Sequence, residues 1–196
     1  RQVKQRLAQA VSIFELDHDL LNRLQPDLVL TQDQCEVCAV SYEEVEAAVA
    51  SWSGREVALV SLESRTLAGV YKDITQVADV LGVSGAGHNL VTTMTERAMA
   101  VADRTQELDA SVAVACIEWT EPLMVAGNWI PEMVSLAGGR NIYGEAGEDA
   151  PELAWEEFLE ADPEVIILMP CGFDLKRATI EAGVLSSKPG WEDIAA

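Results

Sequence analysis

The chain has 196 residues, 49% hydrophobic and 23% charged, a balance that supports one sizeable or two small folded domains. Its 33 acidic residues outweigh 13 basic ones, for a net charge of −20, which excludes a phosphate-tracking nucleic-acid surface and leaves most carboxylates as a solvated acidic face. No apolar run reaches the roughly 20 residues that a membrane helix needs, so no transmembrane segment is expected in this chain.

Residues 1–24 place Val3, Leu7, Val11, Phe14, Leu20, Leu21 and Leu24 on one broad helical face, and Pro26-Asp27 ends that pattern. Leu28-Val29-Leu30 follows as a short buried strand, and residues 31–40 read as a loop. Ser41 and Glu44 have capping-box spacing and start a helix that runs to about Ala50 and is closed by Ser53-Gly54. A strand over 56–61 and a helix over 66–81, closed by Gly82, complete an α-β-α-β-α series. The Gly/Ser run at 82–87 reads as a linker, and because its glycines do not follow a strand it is no dinucleotide fingerprint. A long helix is expected from His88 to about Leu108.

The same pattern then restarts. SVAVACIEW is a strand, residues 130–136 form a helix ended by Gly138-Gly139, and VIILM is a strand introduced by Asp162-Pro163. Short apolar strands of this kind are buried on both faces of a parallel sheet. The expected class is therefore α/β, with a first lobe over 1–85, a connecting helix over 86–110 and a second lobe over 111–196. Both ends read as cut, the first as the middle of a helix and the last without a closing element.

Ligands of open α/β sheets bind beyond the carboxyl ends of the strands. Three loops hold that position, residues 31–41, 118–127 and 170–175. The first carries Gln32, Gln34 and the pair Cys35 and Cys38, whose C-x-x-C spacing fits a loop-shaping thiol pair, a ligand contact, or redox or metal work. The second offers flat apolar surface from Trp119 and Trp129, with Glu118 as an acceptor beside them. Glu118 and Glu121 invite an acid–base reading, but no nucleophile or histidine accompanies them. The third presents Cys171 and Phe173 on a turn made by Pro170 and Gly172. His18 and His88 lack a partner at metal-ligand spacing, and no G-x-S-x-G, Walker A or H-E-x-x-H occurs, so no enzyme, resident metal or catalytic cofactor is expected.

The segments PDLVLTQDQCEVCAVSYEEVEAA, DITQVADVLG, VACIEWTEPLMVAGNWIPEMVSLAGGRN and ADPEVIILMPCGFD resemble the cobalamin and iron-chelate solute-binding proteins, and most closely their cobalamin-binding branch. The resemblance implies a class III solute-binding fold of two Rossmann-like lobes with mainly parallel sheets joined by one rigid helix. It implies a corrinoid such as cobalamin held between the lobes by Gln32, Gln34, Cys35, Cys38, Glu118, Trp119, Trp129, Cys171 and Phe173. It further implies delivery to an ABC-type permease, with Glu43 and Glu132 docking on permease arginines. Iron-siderophore or heme capture is the alternative cargo, and thiol-redox work by Cys35 and Cys38 the alternative class. A monomer is expected. By resemblance the location is periplasmic or extracellular, while a C-x-x-C loop with two further thiols fits a reducing cytosol equally well. The departure from the family pattern is that polar and thiol residues stand at the first-lobe strand end, where well-described members offer aromatics.

Overall fold

The structure, a computed structural model, describes residues 15–32, 40, 42–50, 57–107 and 111–196. The chain divides into two compact units, Arg1–Ser64 with Ala68–Asn89, and Arg65–Leu67 with Leu90–Ala196. No helix among the described residues is long and apolar enough to cross a membrane.

The first unit begins its described part with α1 (His18–Leu24), capped by the Asp17 carboxylate, which accepts from the Leu20 N–H at 2.8 Å. Gln25 ends α1 in a left-handed conformation (φ 45°) just ahead of Pro26, where a helix cannot continue. The parallel pair β1 (Leu28–Gln32) and β2 (Ala58–Leu62) runs in register from Leu28↔Ala58 to Gln32↔Leu62. Strand β1 thus extends two residues into the expected loop, because Thr31 and Gln32 find ladder partners. Helix α2 (Tyr42–Ala50) lies between them in sequence and buries Val45 and Ala48. The expected Ser41 cap, the Ser53-Gly54 closure and the helix before residue 15 lie outside the described residues.

Helix α3 (Leu67–Val80) ends in a Schellman motif. Gly82 is left-handed (φ 71°), its N–H reaches Asp79 O at 3.0 Å, and the Val83 N–H reaches Ala78 O at 2.8 Å. Helix α4 (Ser84–Thr105) then begins at once, so most of the run expected as a linker is helix. The reason is packing. A Cβ on Gly87 would collide with the Cβ of Ala78, so glycine here permits two helices to touch rather than loosening the chain between them.

In the second unit β3 (Ala113–Thr120) is the central strand. On one edge it pairs in parallel with β6 (Val165–Leu168), and on the other with β5 (Arg140–Asn141, parallel) and β4 (Leu123–Val125, antiparallel). Both faces of β3 are covered from Ala113 to Ile117, which is why that stretch is an unbroken apolar run. Ala113, Ala115 and Ile117 pack with Phe158 and Leu185, while Val114 and Cys116 pack with Ala126 and Val134.

Helix α5 (Ile130–Leu136) covers the second face and also ends in a Schellman motif, with Gly138 at φ 78°. The neighbouring glycine has a different task, since a Cβ on Gly139 would sit 2.9 Å from Val114 and 3.0 Å from Val134. Helices α6 (Trp155–Ala161) and α7 (Leu175–Ser186) cover the first face through Phe158 and Leu185. Neither helix stands out in the sequence, because each buries only one residue fully.

Candidate functional site

Parallel pairing of β3 with β6 brings their carboxyl ends side by side, from Val114↔Val165 to Ile117↔Leu168. The residues that leave those ends form the candidate site. Beyond Ile117 the ladder shifts by one residue, a β-bulge between Ile117 and Trp119. Without it, Ile117 and Thr120 would point to opposite faces. With it, Ile117 packs in the cluster that holds Leu185 of α7, and the Thr120 hydroxyl donates to Glu181 of the same helix at 2.9 Å. Trp119 sits half-buried at the bulge, its indole N–H held by Glu121 O at 3.0 Å.

The turn after β6 delivers the facing ring. The Phe173 N–H bonds Pro170 O at 3.2 Å around Gly172, whose φ of 74° suits the third position of a type II turn. Phe173 then meets Trp119 with ring centroids 5.5 Å apart, tilted by 53°. Cys171 stands exposed at the turn. Asp174 caps α7 by accepting from the Arg177 N–H at 2.8 Å, which brings Arg177 over Phe173, 5.0 Å from the ring centroid. The guanidinium gives Nε (3.2 Å) and Nη2 (2.8 Å) to one oxygen of Glu181. Trp119, Phe173, Arg177, Glu181 and Thr120 thus form one connected set around the strand ends.

Glu118 is half-buried, and burial raises its pKa above the ordinary carboxylate value. The Cys116 thiol is raised too, first by burial and then by the charge of Glu118. A raised carboxylate in the folded state means that native protein binds the more protons just above the ordinary carboxylate value. Stability therefore falls as pH rises through that window. Glu118→Gln is expected to be more stable than the parent at neutral pH, with the gap closing as pH drops below the ordinary carboxylate range; unfolding midpoints of both proteins across pH check this.

A family model described as a periplasmic binding protein matches residues 7–196. The chain belongs to the periplasmic binding protein family. Several solved structures share its fold. One is described as a possible iron-binding (periplasmic solute-binding) protein from Staphylococcus epidermidis, with TM-score 0.71 and 14% identity over 93% of this chain and 68% of that one. Another is IsdE of S. aureus complexed with heme, with TM-score 0.73 and 16% identity over 92% and 67%. A third is the vitamin B12 binding protein BtuF of Vibrio cholerae, with TM-score 0.58 and 16% identity over 78% and 57%. The chain thus spans about two thirds of the length of the first two and less of the third. Comparison with curated proteins finds no match. At these identities the likeness is one of fold, the α/β class III type with mainly parallel sheets.

In this periplasmic binding protein the expected site residues separate into groups. Trp119 and Phe173 meet, with Glu118 and Cys171 beside them in sequence. Trp129 stands instead at the N-terminus of α5 and makes no ring contact with that pair among the described residues. In the first unit Gln32 closes β1 and Glu43 is exposed in the first turn of α2, while Gln34, Cys35 and Cys38 lie outside the described residues. Glu132 is half-buried in the first turn of α5, where its carboxylate accepts from the Leu67 N–H at 2.8 Å. That N–H opens α3 and has no partner within its own helix, so Glu132 satisfies it. Glu132 also lines a hollow of about 600 Å³ with Leu67, Thr105, Ser135 and Leu136, whose walls include neither Trp119 nor Phe173.

Arg177, Glu181 and Thr120 are missing from the sequence expectation. The Asp174-x-x-Arg177 capping spacing and the Arg177–Glu181 pair four apart were the available signals, and they lie just past the loop that drew attention.

Proposed function

We propose that this chain is the ligand-binding part of a non-catalytic solute-binding protein whose cargo is a planar metal macrocycle, a corrinoid or a heme. The observation that carries this reading is the Trp119–Phe173 pair at the joined ends of β3 and β6, a tilted aromatic surface where open α/β sheets take their ligands. The corrinoid is favoured by the branch-like loops QDQCEVCAVS and EWTEPLMVAGNW. Heme is favoured by the heme complex among the structural neighbours. An iron chelate is the remaining member of the same cargo class. The setting we propose is periplasmic or extracellular, with an ABC permease receiving the cargo.

Absorbance titration of the chain with cobalamin and with iron(III) protoporphyrin IX tests the reading. A saturable spectral change with either supports it, and no change with either at high micromolar concentration sinks it.

We assign permease docking to Glu43 and Glu132. Because Glu132 also holds the Leu67 N–H, its two roles need separating. Glu132→Gln keeps an acceptor for Leu67 and removes the charge. The variant is expected to keep its melting temperature and cargo affinity while losing association with membranes that carry the cognate permease. Unchanged association rejects the docking role.

A further inference from the structure

We propose that Arg177 reads an anion in this site, pairing with a carboxylate on the rim of a planar ligand that lies against Trp119 and Phe173. The cargo is then a carboxylate-edged macrocycle of the porphyrin class rather than an amide-edged corrinoid. The inference rests on the macrocycle reading above and names the ligand chemistry within it.

The geometry supplies the argument. Arg177 is held from two sides, by the Phe173 ring beneath it and by Glu181 through Nε and Nη2. Glu181 is itself fixed, since its other carboxylate oxygen accepts from Thr120 and its side chain is only 16% exposed. The guanidinium is therefore pre-oriented, with its side chain 58% exposed and Nη1 without a hydrogen-bond partner among the described residues. Free guanidinium donors in a fixed plane match the two oxygens of a carboxylate, and the opposite charges add an attraction that a neutral amide edge does not supply. The carboxylates nearest in the chain leave Nη1 untouched, since Asp174 accepts from the Arg177 backbone N–H and Glu181 from Nε and Nη2 and from Thr120. In a chain with 13 basic residues against 33 acidic ones, a cation set beside the aromatic pair discriminates between ligands.

The test compares the 196-residue chain with its Arg177→Gln and Glu181→Gln variants, titrated with iron(III) protoporphyrin IX, with its dimethyl ester and with cobalamin. The free acid is expected to bind the parent more tightly than the ester. Arg177→Gln is expected to weaken the acid by about five- to tenfold and leave the ester unchanged. Glu181→Gln, which keeps an acceptor for Thr120 and Arg177 but removes the competing charge, is expected to tighten the acid. A structural role alone predicts the opposite for that variant. Equal binding of acid and ester by the parent overturns the inference, as does an Arg177→Gln loss shared by both porphyrins. Preference for cobalamin, insensitive to Arg177→Gln, also overturns it and leaves the macrocycle reading standing. Failure of all three ligands to bind overturns both.

Discussion

Trp119→Ala is expected to weaken macrocycle binding by about 2 kcal/mol, roughly thirtyfold in Kd, the scale of a buried aromatic anchor in a ligand interface. The ring offers its face next to Phe173 and its indole N–H is already spent on Glu121 O. What it contributes to cargo is therefore apolar area and stacking rather than a hydrogen bond. Trp119→Phe keeps an aromatic face and is expected to retain most of the affinity. The measurement is the absorbance titration described above, run on both variants. Equal affinity of parent and Trp119→Ala would move the binding surface elsewhere in the chain.

The largest stability effect is expected at Phe158. It is fully buried in the cluster under β3, stacked on Trp155 at 5.2 Å and 24°, and Trp155 in turn stacks on Trp191 at 6.4 Å. Phe158→Ala removes the ring and leaves a cavity that fixed strands on one side and α7 on the other cannot close, so a loss of about 3–5 kcal/mol is expected. Urea or thermal unfolding followed by tryptophan fluorescence reads it directly, because Trp155 and Trp191 report on the same cluster. A loss below about 1 kcal/mol would mean that the site collapses freely, contrary to the packing described. The two variants are complementary, since Trp119→Ala should lose cargo with a modest change in stability and Phe158→Ala the reverse.

Much of the architecture was legible because it is written in burial. The apolar run of β3 announced a strand covered on both faces, and Gly138-Gly139 announced a helix end. The errors fell where one residue type serves two purposes. Gly87 looked like freedom and is a close approach to Ala78. Leu123-Met124-Val125 looked like loop because three residues are too few to show a period, yet they pair with β3 and bury Leu123 and Val125. Helices α6 and α7 carry sparse apolar stripes that only the tertiary cluster makes meaningful.

Of the site, Trp119 and Phe173 were readable as unusual residues at strand ends. Their companions were not, because Thr120, Arg177 and Glu181 belong together only through the bulge and the helix that follow; the cap at Asp174 and the Arg177–Glu181 spacing mark that helix, but nothing local marks the bulge. Glu132 is the converse case. Its place in the first turn of α5 was readable, but its bond to Leu67, 65 residues away, was not.

The bulge between Ile117 and Trp119 splits one strand into two jurisdictions. Upstream of it, side chains are answerable to the hydrophobic clusters and tolerate little change. Downstream of it, Trp119 and Thr120 are answerable to α7 and to whatever lies against the aromatic pair. Change in cargo preference can therefore accumulate within two residues of the most buried strand of the unit without disturbing that strand, whereas loss of a single residue at the bulge would return Thr120 to the wrong face and dismantle the set around Arg177 in one step.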